Sequence, residues 1–244
     1  METQLYFWKP LIEQYQNDLS LVEEYYKHTM VVFSDIEKDA EGYAKEFYEN
    51  YPATEATDPA SVAEWAEEIS IEKYQSLSAM KFNHLLMTIS MLYQAWEQQL
   101  IKFMIHELHR YIRFDKRTVS FNDVQTVFRL HGVDILKTES WVKIRELKFL
   151  VNTIKHGDGD SANKLRKIRP DYFRFPDRFK MGKETDSLDL YGSVLFDEHS
   201  LQVSDTDLYS YIEATKKFWG EMPERAYSNT ETLIEELTKE RGRQ

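Results

Sequence analysis

The chain of 244 residues holds no cysteine, 42% hydrophobic residues and 30% charged ones. That excludes disulfides, thiolate metal sites and cysteine nucleophiles, and it leaves enough apolar material for a packed core. Its 31 Lys and Arg against 42 Asp and Glu give a net charge of −11, which argues against a general coat for DNA or anionic membrane unless basic residues are concentrated locally.

The opening stretch Met1–Pro10 has no basic segment followed by an apolar one, so no secretory leader is expected. No apolar run approaches the roughly 20 residues that cross a bilayer. The expectation is a cytoplasmic protein with no membrane partner. Only 8 Gly and 6 Pro are present, a composition that favours long helices. Residues 11–50 carry Leu19, Leu21, Val22, Tyr25, Tyr26, Met30, Phe33, Ile36, Tyr43, Phe47 and Tyr48, spaced by threes and fours, a helical period. Residues 51–60 (YPATEATDPA) read as a linker, a short helix begins near Ser61, and the longest periodic run extends from Ile71 to Phe114. Two further helices are expected over 119–131 and Trp141–His156, with Ser120 and Ser140 as N-caps and Gly157 as the stop. A basic helix follows at Ser161–Ile168. Residues 170–179 are irregular and aromatic, and 187–203 alternate like a small β-hairpin. Ser204–Asp207 caps a helix to Trp219, and Thr230–Arg241 forms a last one. The expected fold is mainly α, a helical bundle with that hairpin, in a single domain over 1–244.

Charge is divided along this chain. Residues 1–75 hold 5 Lys and Arg against 17 Asp and Glu, whereas residues 143–183 hold 12 against 5, a net +7. Tyr172, Phe173, Phe175 and Phe179 sit among these cations. Basic residues interleaved with aromatics suit phosphates and unstacked bases of a single strand. They equally suit docking against the acidic N-terminal helices, and the sequence leaves both open.

The segment that can carry chemistry is Trp141–Ser161. On a helix, Arg145, Lys148, Asn152, Lys155 and His156 share one broad face, and Ile144, Leu147, Val151 and Ile154 form an apolar stripe. Asn152 and His156 lie one turn apart, about 6 Å along the axis. His156 can exchange a proton near neutral pH, and Asn152 can orient a phosphate or the imidazole. Lys155 and His156 before Gly157 also satisfy a helix C-terminus with no chemistry at all.

Asn152-Thr-Ile-Lys-His156-Gly157, closing a helix in an all-α chain, resembles the signature of the HEPN superfamily. That signature is an Arg, then commonly a polar residue such as Asn, then a His four to six residues beyond the Arg. Here Asn152 and His156 take the polar and His positions, and Val151 stands where the family has Arg. The resemblance covers about residues 76–170, between the acidic N-terminal helices of 1–75 and the aromatic, hairpin and C-terminal helical part of 171–244. It implies a helical bundle that pairs as a homodimer. Many such proteins are metal-independent ribonucleases of toxin–antitoxin and phage-defence systems, needing no cofactor. The implied partner is RNA, with His156 as acid–base, Asn152 as orienter, and Arg145, Lys148, Lys155, Arg166 and Arg169 on phosphates. The alternative is a non-catalytic helical module with a degenerate motif that binds a partner protein.

Other signals are weaker. His106-Glu-Leu-His109, with Glu97 upstream, places its two histidines three apart rather than the four a zinc protease needs. It reads as a solvated or interhelical face. Asp158-Gly-Asp-Ser-Ala-Asn163 starts like a calcium loop, but Ala162 takes a ligand position and no Glu closes it, so a turn plus N-cap is expected. The dense apolar residues of Met80–Tyr93 exceed one helix face, which suggests a helix buried on several sides or a dimer seam. Trp8, Trp65, Trp96, Trp141 and Trp219 read as core or interface anchors.

Overall fold

The computed structural model describes residues 2–114, 119–174, 188, 196 and 200–241. Its elements in chain order are β1 (Glu2–Tyr6), α1 (Lys9–Met30), α2 (Ile36–Asn50), α3 (Pro59–Leu108), α4 (Phe121–Leu130), α5 (Trp141–His156), α6 (Asp160–Ile168), α7 (Asp205–Gly220), β2 (Arg225–Asn229) and α8 (Thr230–Arg241). The fold is mainly α with one small antiparallel sheet. The contacts divide it into two compact units, one made of residues 1–24, 88–168 and 205–244, the other of 25–87 and 169–204.

The sheet of the first unit joins chain segments more than two hundred residues apart. β1 pairs antiparallel with β2 in the register Glu2↔Asn229 to Tyr6↔Arg225. Strand alternation puts Thr3, Leu5, Ala226 and Ser228 inside. Neither strand was expected from the sequence, where five residues of alternation with a distant partner leave little local signal. The hairpin expected over 187–203 lies largely outside the described residues; Leu201–Ser204 are not strand.

The core of this unit is aromatic. Phe7 stacks on Phe103 at 4.7 Å and meets Phe128 edge-on at 5.7 Å, and Trp96 meets Phe218 edge-on at 5.2 Å. Gln99 ties three helices together: its Nε2 donates to the Tyr15 carbonyl at 3.0 Å, and its Oε1 accepts from the Trp219 indole at 2.9 Å. α4 begins with a capping box, in which the Ser120 hydroxyl accepts from the Asp123 N–H and the Asp123 carboxylate accepts from the Ser120 N–H. Ser140, by contrast, makes no side-chain cap to α5. It sits in helical geometry, and its N–H and hydroxyl both donate to the Glu221 carboxylate. The expected cap gave way to a tertiary contact.

In the second unit, α2 is capped by Asp35, whose carboxylate accepts from the Lys38 N–H at 3.3 Å. The expected linker is irregular from Tyr51 to Asp58. The short helix expected at Ser61 and the long one from Ile71 are one helix, α3, because nothing between them breaks the period. His84 is stacked on Tyr26 at 5.7 Å and bonded through Nε2 to the Thr29 hydroxyl at 2.7 Å. Within Met80–Tyr93, Phe82, Leu85, Leu86, Ile89 and Leu92 are buried, while Met80 and Met87 are 55% and 69% exposed. Of the tryptophans, Trp96, Trp141 and Trp219 are buried, whereas Trp8 and Trp65 are exposed.

Candidate functional site

α5 is held at several points on its inner side. Trp141, Ile144, Leu147, Leu150 and Val151 are buried in the core. Glu146 is buried with them, yet its carboxylate is satisfied. It accepts from the Tyr211 hydroxyl at 2.8 Å and from Lys143 Nζ at 2.6 Å, and the same ammonium lies 4.7 Å over the Tyr211 ring. A paired carboxylate of this kind fixes the roll of α5 against α7, because turning the helix would leave a buried charge alone.

With that roll fixed, the opposite face is determined. Arg145, Lys155 and His156 are exposed and Asn152 is half-buried. None of these four side chains has a hydrogen bond or ion pair among the described residues. At 100° per residue Arg145, Asn152 and His156 fall within about 40° of one another around the axis. His156 and Asn152 are one turn apart, about 6 Å, and Arg145 lies about 16 Å down the axis from His156. Val151, beside Asn152, is only 8% exposed and belongs to the core. The helix stops where expected. Gly157 adopts φ 70°, and its N–H donates to the Thr153 carbonyl at 2.8 Å, which leaves His156 at the last exposed turn.

The remaining basic candidates are engaged. Lys148 is half-buried with its ammonium 4.7 Å over the Phe121 ring. Burial lowers its pKa; the Glu97 carboxylate opposes that and Lys164 adds to it. Arg166 donates to Asp158 at 2.6 Å and to Asn163 at 3.0 Å, which closes the loop between α5 and α6 on itself. Lys164 pairs with Asp160 one turn away. Arg169, in the second unit, donates through Nε and Nη2 to Asp171 and through Nη1 to the Tyr172 hydroxyl, and its guanidinium lies 3.7 Å over the Tyr172 ring. The basic stretch therefore neutralises much of its charge against its own neighbouring acids. Tyr172 and Phe173 are buried, so neither offers a ring for a base to stack on. Phe175, Phe179, Arg178, Lys180 and Lys183 lie outside the described residues.

The weaker candidates resolve locally. His106 lies 3.1 Å from Glu107, and His109 Nδ1 bonds to the His106 carbonyl. Among the described residues no group of three or more His, Asp or Glu is placed to hold a metal. Asp158 and Asp160 serve Arg166 and Lys164, and α6 begins at Asp160, so this loop is a turn and a helix start. Sequence reasoning missed the partners of Lys148 and Arg166. The Asp158–Arg166 pair was within reach, eight residues apart across one turn. The Lys148–Phe121 contact was not, since it depends on how α4 packs on α5.

No family model, curated protein or solved structure matches the chain.

Proposed function

We propose that the chain is a HEPN-like RNA-binding protein that engages a single strand along the exposed face of α5 and cleaves it without metal. The observation that carries this reading is the selective distribution of charge. Lys143, Lys148, Lys164, Arg166 and Arg169 are spent on internal partners, whereas Arg145, Asn152, Lys155 and His156 have no partner among the described residues and share one helix face. A cationic strip with a histidine at its end is suited to phosphates.

In this reaction the RNA 2′-hydroxyl attacks the adjacent phosphorus. The bond to the 5′-oxygen breaks, leaving a 2′,3′-cyclic phosphate and a 5′-hydroxyl. His156 takes the proton from the 2′-hydroxyl or returns one to the departing 5′-oxygen. One histidine cannot do both in the same instant, so a second copy of the chain supplies the other proton-transfer group, and the active form is a homodimer. Asn152 orients the phosphate beside His156. Arg145 and Lys155 hold neighbouring phosphates; Arg145, about 16 Å away along the axis, contacts a different phosphate from the one cleaved. A cytoplasmic location goes with an RNA partner.

Val151 favours a second reading. The position of the family's arginine is a core valine, which removes the group that would stabilise a developing oxyanion. In that case the same face binds RNA or a partner protein without cutting. Titration of a fluorescent single-stranded RNA in rising salt tests the binding that the first reading requires. Arg145→Ala and Lys155→Ala should each weaken affinity across sequences and lower the salt slope by about 1. Unchanged slopes would remove α5 from the interface. Binding without cleavage would select the second reading.

A further inference from the structure

A second feature of the first unit lies away from α5. α1 and the C-terminal part of α3 leave between them a groove of about 750 Å³, within the range of small-molecule sites. Its floor is aliphatic: Leu11 from α1 and Ile101 and Ile105 from α3. Tyr15 also lines the groove, and its hydroxyl has no hydrogen-bond partner among the described residues. The polar side carries one lysine and two histidines. Lys102, His106 and His109 follow one another along α3 and the turn after it, and Lys102 is exposed without an acidic partner. His109 donates through Nδ1 to the His106 carbonyl, and His106 Nδ1 lies 3.1 Å from Glu107 Oε1, so both rings are held by the chain's own groups. Among the described residues no carboxylate is part of the lining, and the nearby Glu107 is occupied by His106 and by the Tyr6 N–H.

The walls are fixed before anything binds. Tyr15 packs on the Trp219 ring at 4.7 Å, the Gln99 amide links the Tyr15 carbonyl to the Trp219 indole, and Gln16 Nε2 donates to the Lys216 carbonyl at 3.0 Å. α1, α3 and α7 are thereby bolted together, so a ligand loses little to ordering the site. Burial, with Glu107 and Asp18 nearby, pushes the Tyr15 hydroxyl up to about 12. It therefore remains a neutral O–H donor throughout the physiological range.

From this geometry we infer that the groove binds a small amphipathic organic anion, an apolar tail or ring against Leu11, Ile101 and Ile105 and a carboxylate held by the Lys102 ammonium. This site is independent of the RNA reading and stands or falls separately. A cation of the same shape would meet Lys102, and a neutral apolar molecule would leave the donors of the rim unpaired.

The test uses the full chain and 8-anilinonaphthalene-1-sulfonate, an apolar ring system carrying one anionic group whose fluorescence rises on leaving water. Lys102→Glu should weaken its binding at least ten-fold while thermal unfolding stays in place, since Lys102 is exposed. Lys155→Glu, on α5, should leave binding unchanged. Decanoate should displace the dye and decyltrimethylammonium should not. The inference is overturned if the dye does not bind, if Lys102→Glu binds it as the parent does, if decanoate fails to compete, or if the decyl cation competes equally.

Discussion

At the scale of single residues, Gly157 and Gly42 make opposite predictions from the same substitution. Gly157 sits at φ 70° and ψ −147°, with open space around the position a Cβ would take. Gly157→Ala therefore costs backbone strain alone, about 1–3 kcal/mol by denaturant unfolding. Gly42 lies exposed inside α2, also in open space, and Gly42→Ala should stabilise by about 0.5–1 kcal/mol. Equal effects at the two sites would contradict the helix stop after His156. Two histidines predict a pH dependence. His131 has its Nδ1 on the Val127 carbonyl at 2.7 Å and its Nε2 on the Thr3 hydroxyl at 3.1 Å, and burial lowers its pKa. Burial also lowers that of His84. A histidine whose folded pKa is depressed takes up its proton more readily unfolded. Its contribution is therefore full above about pH 6.5 and lost as the pH falls toward the folded value. Denaturant midpoints should drop between pH 7.5 and 5.5, and His84→Gln/His131→Gln should flatten that drop. An undiminished drop in the double variant would assign it to other groups.

At the scale of elements, α5 determines what the site presents. Leu147 is fully buried and Val142 is 67% exposed, five residues apart on the same helix. Leu147→Ala should cost about 2–5 kcal/mol, and Val142→Ala should stay within about 0.5 kcal/mol. Comparable losses at both would mean that α5 is rolled differently and that Arg145, Asn152 and His156 do not share a solvent face. This helix was legible in the sequence from its apolar stripe and from Gly157 at its end, because both signals are local. The Ser120 cap was legible for the same reason, the capping-box partner Asp123 being three residues away. Ser140 was misread because Glu221, eighty-one residues on, takes its N–H and hydroxyl. β1 and β2 were missed because their pairing carries the information and neither strand alone does. For the site, the 3.6-residue period placed the candidate side chains on one face. It could not say that Lys148 covers Phe121 or that Arg169 is clamped on Asp171 and Tyr172, since those depend on packing.

At the scale of the whole molecule, a −11 chain repels a polyanion unless its cations are both grouped and unspent. The first half of that condition is visible as the net +7 of residues 143–183. The second half needed the structure, in which Lys143, Lys164, Arg166 and Arg169 of the nine described cations in this stretch are paired internally. Because only a few cations remain to meet phosphates, affinity should fall with salt at a modest slope and depend strongly on each of them. The central claim is that His156 moves a proton in metal-free RNA cleavage, and end-labelled RNA incubated with the purified chain in EDTA tests it most directly. The account predicts products ending in 2′,3′-cyclic phosphate and 5′-hydroxyl, with the rate falling at least 10²-fold in His156→Ala while the unfolding midpoint stays unchanged. Cleavage by His156→Ala equal to that of the parent chain, or none by either folded protein, would contradict it.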